Sequence, residues 1–375
     1  MMMPKDEAAL ADAVTGARGP LLVRGGGTQG IAGAGTVLSV AGICGIDLYE
    51  PGALTLVAAA GTPLAEIGAV LAAENQRLAF EAPDLRRLLG TDGAPTIGGV
   101  VASNASGPRR IQVGAARDFL LGVRFVDGHG RVIRNGGRVM KNVTGYDLVK
   151  LMAGSWGTLG VLSQVALKVL PQPEMQASLR IAGLEPGAAV AAMSRALGSP
   201  WDVTGAAHLP QGPDGAPVTM IRIEGFEGSV VYRAGRLTEL LAGFGDLSVD
   251  TGQARVAADW MGVRDVAPFH DRPGDVWKLS VKPSDAPGVA TRLRAEAVMF
   301  DWGGGLIWAR LPEGTDLRAR AGSFAGHATL IRGSTDTRAR LGMFHPEPAP
   351  LAAIAAGLRA KFDPRGLFNP GLMGG

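Results

Sequence analysis

Pro95-Thr96-Ile97-Gly98-Gly99-Val100-Val101-Ala102-Ser103-Asn104-Ala105-Ser106-Gly107 sets a short apolar run inside a cluster with almost no side-chain bulk. An earlier run, Leu21-Leu22-Val23-Arg24-Gly25-Gly26-Gly27-Thr28-Gln29-Gly30, has the same character. A third block, Gly154-Ser155-Trp156-Gly157-Thr158-Leu159-Gly160-Val161, leads into a long apolar segment. Residues without bulk let backbone N–H groups approach a large anionic group closely. Three such blocks in one half of a chain read as walls of one site.

Gly25-Gly26-Gly27-Thr28-Gln29-Gly30 satisfies G-x-G-x-x-G, the dinucleotide fingerprint. That fingerprint has to open a helix after its strand. Here Ile31-Ala32-Gly33-Ala34-Gly35 follows, a poor helix, and a new strand begins by Thr36. A Rossmann domain is therefore disfavoured, and no G-x-x-x-x-G-K-[ST] loop occurs. What remains is a strand-end nest of amides beside a cation, Arg24, which suits a pyrophosphate. Thr96 and Ser103 offer hydroxyls, Asn104 an amide, and Gly98-Gly99 admit a flat ring edge-on. The expectation is a site for the pyrophosphate and ring system of FAD, walled by Arg24, Gly25, Gly26, Gly27, Thr28, Gln29, Thr96, Ile97, Gly98, Gly99, Ser103, Asn104, Gly107, Gly157, Thr158, Gly160 and Val161. The competing reading of each block alone is a glycine-rich turn without a ligand.

Glycine supplies 56 of the 375 residues, about twice the usual share, yet well-patterned apolar segments separate the clusters. The length suits two domains. A net charge of +3 without a basic stripe argues against nucleic acid, and Arg86-Arg87 and Arg109-Arg110 read as solvated loop charge. The one cysteine, Cys44, excludes an internal disulfide and a cysteine-ligated iron–sulfur cluster held by this chain alone. No apolar run reaches the roughly 18 residues of a membrane span, and the N-terminus lacks a signal-peptide core. The expected location is cytoplasmic, with peripheral membrane docking through partners left open.

Patterning predicts helices over 6–17, 62–75, 147–152, 188–197, 229–241 and 350–362. It predicts strands over 20–24, 36–40, 54–60, 120–126, 131–134, 161–170, 218–224, 276–281, 306–310 and 328–332. Asp127-Gly128-His129-Gly130 is a hairpin turn, and Pro171-Gln172-Pro173 is the domain boundary. The expected class is α+β: a domain over 1–172, a smaller antiparallel-sheet-plus-helix domain over 173–345, and a helix and tail over 346–375.

Taken together, Arg24 to Thr28, the Thr96–Gly99 block with Asn104 and Gly107, Gly114 with Arg117-Asp118, Lys141-Asn142-Val143-Thr144-Gly145-Tyr146-Asp147-Leu148, Gly157-Thr158-Leu159-Gly160 and Phe362-Asp363-Pro364-Arg365-Gly366-Leu367-Phe368-Asn369-Pro370-Gly371 resemble the vanillyl-alcohol-oxidase-type (PCMH-type) flavoproteins. With Trp277-Lys278-Leu279-Ser280 and His327-Ala328-Thr329-Leu330-Ile331-Arg332-Gly333, the pattern is most similar to the FAD-binding subunits of bacterial glycolate oxidase (glycolate dehydrogenase). The resemblance implies a two-lobed FAD-binding domain, the tail 346–375 returning to it, and a smaller domain over the flavin. It also implies a larger flavoprotein subunit and an iron–sulfur subunit as partners, with glycolate oxidised to glyoxylate. Covalent members carry His near the first glycine cluster; Thr28 and Gln29 stand there, so FAD is expected to be non-covalent. Hydroxy-acid-oxidising members often carry clustered metal-binding histidines. The five here, at 129, 208, 270, 327 and 345, are scattered, so no metal is expected. Many members show Glu where this chain has Trp156.

Oxidising a 2-hydroxy acid needs a cation for the carboxylate and a base for the hydroxyl proton. His327, Arg332 and Lys278 are the candidates, each readable instead as an ordinary sheet residue. Trp260, Trp277, Trp302 and Trp308 read as core or interface fillers. Two rivals to the subunit reading stay open: a self-sufficient FAD-linked 2-hydroxy-acid dehydrogenase, and a redox-silent flavin-fold scaffold.

Overall fold

The computed structural model describes residues 1–138, 145–212 and 214–374. Lys141 to Thr144, part of the resemblance above, lie outside the described residues. Contacts divide the chain into two units: 1–106 with 114–172 and 346–375, and 107–113 with 173–345. The division falls at Gln172-Pro173, and the tail groups with the first unit. One feature has no counterpart in the sequence reading: the strap Gly107–Val113 groups with the second unit.

In the first unit, a five-stranded antiparallel sheet runs Ile46–Glu50, Thr55–Ala59, Val161–Lys168, Leu120–Val126, Val132–Gly136. The Thr55–Ala59 strand is buried at every position, which explains its unbroken apolar run. A separate parallel pair joins Leu21–Arg24 to Thr36–Ser39. No helix separates them, so the G-x-G-x-x-G match is a false fingerprint. The tail is laced to this pair. Leu21 N–H donates to the Leu367 carbonyl at 2.7 Å and Asn369 N–H to the Leu21 carbonyl at 3.0 Å. The Asn369 side chain accepts from Val23 N–H at 2.8 Å and donates to the Trp156 carbonyl at 2.8 Å.

The second unit is an eight-stranded antiparallel sheet. Its order is Leu247–Asp250, Met175–Ala182, Val218–Gly225, Val203–Leu209, Ala297–Asp301, Leu306–Leu311, Asp275–Val281, Gly326–Arg332. Alternate residues face the core: Leu179 and Ile181, Ile221 and Ile223, Trp277 and Leu279, Ile307 and Ala309, Ala328 and Leu330. The helices Pro186–Leu197, Glu227–Leu241 and Ala286–Leu293 supply Met193, Leu237 and Leu293 to the same core. Sequence patterning passed over the strands Ile46–Glu50, Met175–Ala182, Val203–Leu209, Leu247–Asp250 and Ala297–Asp301 and the helix Gln253–Arg264.

The strap is pinned by a buried ion pair. Arg109 donates from Nε and Nη2 to the two Glu224 carboxylate oxygens at 2.7 and 2.6 Å, and the side chains are 10% and 3% exposed. Bidentate geometry of this kind is strong, and removing one partner strands a buried charge. His208 is fully buried, its Nδ1 3.0 Å from the Thr219 hydroxyl and its Nε2 without a partner. Burial lowers its pKa from 6.5 to about 4.

Glu224→Ala should lower the unfolding free energy by about 3–5 kcal/mol in urea titrations, because the buried Arg109 and Arg222 both lose this carboxylate. For His208, the unfolded chain takes up a proton below pH 6.5 that the folded chain refuses until about 4. Stability should therefore fall across that window as pH drops, by about 3 kcal/mol. His208→Gln should flatten that part of the pH profile.

Candidate flavin-binding site

One cleft of the first unit gathers the three glycine blocks. It spans about 930 Å³ with the open solvent at its mouth included. Of the expected residues, Arg24, Gly25, Gly26, Gly27, Thr28, Gln29, Thr96, Gly98, Gly99, Ser103, Gly157, Gly160 and Val161 line it. Four do not. Ile97 is fully buried, and the Thr158 hydroxyl donates to the Ser155 carbonyl at 2.7 Å. Asn104 sits at φ 47° with its side-chain oxygen accepting Arg117 N–H at 3.0 Å. Gly107 belongs to the second unit, where its carbonyl accepts the Trp302 indole N–H at 3.0 Å. The sequence reading also missed Val40, Pro83, Leu85, Val100, Ser155 and Trp156. Val100, Ser155 and Trp156 stood inside recognised blocks; Val40, Pro83 and Leu85 carry no mark that separates a cleft wall from a core.

The glycines do two different things. A Cβ at Gly26 would lie 1.7 Å from the Ala94 carbonyl oxygen, and one at Gly93 would lie 1.6 Å from that of Gly26. A Cβ at Gly98 would meet Ala60 at 2.7 Å, and one at Gly25 would meet the Thr96 hydroxyl at 2.2 Å. These positions are glycine because the protein's own atoms press there: backbone carbonyls at Gly26 and Gly93, Ala60 at Gly98 and the Thr96 hydroxyl at Gly25. Gly27, at φ +77°, and Gly99 differ: nothing lies within 4 Å of a Cβ at the first, and only the Thr96 hydroxyl, at 3.3 Å, near the second.

The amides divide in the same way. Ile97 N–H donates to the Thr62 carbonyl at 3.0 Å and Gly98 N–H to that of Ala60 at 2.8 Å. Gly99 N–H is taken by the Thr96 hydroxyl at 3.3 Å, which caps the short helix Ile97–Ala102. The second block is thus a rigid wall rather than a nest. In the first block, the N–H groups of Gly26, Gly27, Thr28 and Gln29 donate to none of the described residues. Two buried side-chain atoms on the cleft are also without a partner, Arg24 Nε and Ser155 Oγ. Arg24 is aimed by Nη2, which donates to the Ile31 carbonyl at 3.0 Å. Buried donors left unmet are costly, and adjacent amides beside a guanidinium suit a diphosphate. These residues fit FAD.

The three candidate catalytic residues lie in the second unit. Lys278 and His327 are on paired strands, with Lys278 opposite Thr329 and Ser280 opposite His327. Burial and the Arg110 charge pull the Lys278 pKa down to about 8, against a smaller upward effect of Asp301. The His327 pKa is also lowered, by desolvation first, then by Lys278, His345 and Arg110. Arg332 is a correction. Its guanidinium is committed to the carbonyls of Gly274 at 3.0 Å, Phe269 at 3.3 Å and Arg272 at 2.6 Å, at the far end of its strand from His327. It is a strand brace, and the carboxylate-clamp reading does not fit it.

Gly99→Val should leave the melting temperature of FAD-free protein nearly unchanged and abolish its rise on adding FAD, a rise that corresponds to about 2.7 kcal/mol at 100 times the dissociation constant. Gly26→Val should instead lower melting without FAD, because its side chain collides with Ala94. Thermal shift with and without FAD separates the two.

The FAD binding domain family matches residues 1–136. Glycolate oxidase subunit GlcE of Escherichia coli (strain K12) is 38% identical over 359 residues, covering 94% of this chain and 92% of that protein. Glycolate oxidase subunit GlcD of Bacillus subtilis (strain 168) is 42% identical over 84 residues, 22% of this chain and 18% of that protein. A D-lactate dehydrogenase of Archaeoglobus fulgidus is 33% identical over 158 residues, 41% and 34%. An alkyldihydroxyacetonephosphate synthase structure matches with a TM-score of 0.71 over 98% of this chain and 76% of that one, at 15% identity, a likeness of fold alone. Matched almost from end to end by one relative, and carrying a cleft suited to the dinucleotide, this chain belongs to the GlcE family of FAD-dependent oxidoreductase subunits.

Proposed function

We propose that this chain is the FAD-binding subunit of a complex that oxidises glycolate, a 2-hydroxy acid, to glyoxylate and passes the electrons to a partner subunit. The observation that carries the reading is the cleft: residues 26–29, whose amides donate to none of the described residues, line one glycine-walled space together with Arg24 and Ser155, whose buried Nε and Oγ have no described partner. Bound FAD supplies the two-electron acceptor for a CH–OH group. The amides of 26–29 and Arg24 hold its diphosphate, and the helix Ile97–Ala102 with Gly99, Gly157 and Gly160 packs against its flat parts. FAD is held without a covalent bond, since Thr28 and Gln29 offer no attachment chemistry.

His327, kept neutral near pH 7 by its lowered pKa, is suited to accept a proton, and Lys278 supplies positive charge near it. With one cysteine, the chain cannot ligate a cysteine-bound iron–sulfur cluster alone. The electrons then leave for a partner, which in this proposal is a larger flavoprotein subunit; the relatives' names support a glycolate oxidase of several subunits. An iron–sulfur subunit completes the proposed route. None of the helices in the described residues is long and apolar enough to cross a membrane. The proposed location is the cytoplasm, with any membrane contact made through the complex.

The purified chain should take up FAD that acid precipitation releases intact. Glycolate-dependent dye reduction should appear only when the two partner subunits are added. Turnover by the FAD-loaded chain alone would move the assignment to a self-sufficient dehydrogenase, and a complex that keeps full activity with Gly99→Val would move it to a scaffold.

A further inference from the structure

In the second unit, Leu179, Ile221 and Ala309 point into the core, so their strand neighbours Arg180, Met220 and Arg310 stand on the other face of the sheet. Across the strands of that face Arg180 is opposite Met220, and Ala297 is opposite Arg310. The helix Gln253–Arg264 packs there: Asp259 holds Arg180 at 2.6 Å, and the Trp260 indole donates to the Ser178 hydroxyl at 3.3 Å. Between this helix, the turn Ala267–Phe269 and the strands a cavity stays open, spanning about 1360 Å³ with the open solvent at its mouth included. Its described lining shares no residue with the flavin cleft and includes neither Lys278 nor His327.

Three arginines, Arg180, Arg272 and Arg310, and two acids, Asp259 and Glu296, stand around the cavity. Arg180 is matched by Asp259 and Arg310 by Glu296, which leaves Arg272. The Arg272 guanidinium makes no hydrogen bond and no ion pair with any described residue. Arg310 commits Nη1 to Glu296 and to the Pro273 carbonyl, the latter at 2.8 Å, and its Nε is buried without a partner. The bond to Pro273 ties Arg310 to the segment that carries Arg272. That segment is braced, not loose. Arg332 holds the carbonyls of Phe269 at 3.3 Å and Arg272 at 2.6 Å, and the His270 ring Nε2 lies 2.8 Å from the Asp265 carbonyl. Beside these charges the floor is apolar, with Leu209, Met220 and Met299. Methionine side chains adapt to apolar bodies of varied shape.

A buried donor left unmet is costly, and three cations against two carboxylates leave one positive charge over. Both features call for an anion, and a guanidinium fork matches a planar carboxylate. The apolar floor calls for hydrocarbon attached to it. We propose that this cavity is a ligand site for a carboxylate that carries an aliphatic tail, with the carboxylate on Arg272 and Arg310 Nε and the tail along Met220 and Met299. Glycolate has no such tail, so this ligand is of a different chemical class from the substrate assigned above. The site stands whether or not the chain holds FAD.

The test is calorimetric titration of the chain with octanoate, kept below the concentration at which it forms micelles. Butyrate tests the carboxylate with little tail, and octan-1-ol tests the tail without charge. Wild type should bind octanoate saturably and the other two about tenfold more weakly or less. Arg272→Gln should weaken octanoate by about tenfold or more, the loss expected for a hydrogen bond to a charged group, with melting temperature unchanged. Gly262→Leu should abolish binding. A Cβ at Gly262 meets only the Ala267 Cβ, at 3.8 Å, so the added side chain enters the cavity without a collision. Its melting temperature should hold or rise, because Leu is the better helix former. FAD uptake, read by flavin absorbance, should be the same in both variants as in wild type. Absent octanoate binding by wild type, butyrate or octan-1-ol binding as tightly as octanoate, or wild-type octanoate affinity in either variant overturns the proposal. Should Gly262→Leu lose FAD uptake as well and so prove misfolded, Arg272→Gln decides alone, since the side chain it removes is exposed and braces nothing described.

Discussion

Two stretches of backbone touch where no side chain fits. At Gly26, Gly93 and Ala94 the chain approaches itself so closely that a Cβ on either glycine would overlap a carbonyl oxygen. That approach fixes the end of the Leu21–Arg24 strand against the segment leading to Thr96, and so fixes the two main walls of the cleft relative to each other. Asn369 adds the third wall, since one amide side chain joins Val23 to Trp156. The free amides of 26–29 are a consequence. Their neighbours hold the loop in place, and no helix follows to absorb their hydrogen bonds.

This arrangement separates two reasons for glycine that a sequence cannot distinguish. Gly25, Gly26 and Gly98 are small because protein fills the space where a Cβ would go. Gly27 is held at φ +77°, which itself favours glycine, and Gly99 is small beside nearly open space, with only the Thr96 hydroxyl near. In the sequence all five look alike, which is why the three blocks were legible as one site while the division of roles within them was not. The same limit hid Val40, Pro83 and Leu85, which become cleft wall only through the fold. It also let Asn104 and Thr158 pass as cleft residues, when the Asn104 side-chain oxygen accepts from Arg117 N–H and the Thr158 hydroxyl donates to the Ser155 carbonyl.

Legibility of the elements followed burial pattern. Thr55–Ala59, buried at every position, and Val161–Lys168, with Val161, Val165 and Leu167 on one face, declared themselves. Met175–Ala182 alternates Ala177, Leu179 and Ile181 with polar residues, a readable strand that the preceding Pro-Gln-Pro break obscured. The helix Gln253–Arg264 buries Val256, Trp260 and Val263 at i, i+4 and i+7, a helical spacing that was overlooked among its many polar and small residues. The strap was beyond reach for a different reason. Nothing in Gly107–Val113 announces that its partner, Glu224, is 115 residues away. Arg109-Arg110, which read as solvated loop charge, are a buried ion pair and a cation stacked on Trp302.

The face of the sheet that Lys278 takes is decided by its neighbour. In a strand, a shift of one residue would send Trp277 to the open face and Lys278 into the core. Burying a tryptophan favours one register and burying an unpaired ammonium opposes the other, so both effects select the same alignment. The irregularity between Val276 and Trp277 in the pairing with the Gly326–Arg332 strand marks where that alignment is set. Arg332 braces the same place by holding the Gly274 and Arg272 carbonyls. A residue that looked like a substrate clamp is thus part of what turns another cation outward. The core of the second unit thereby fixes the direction of its charge, just as backbone contact in the first unit fixes the direction of its amides.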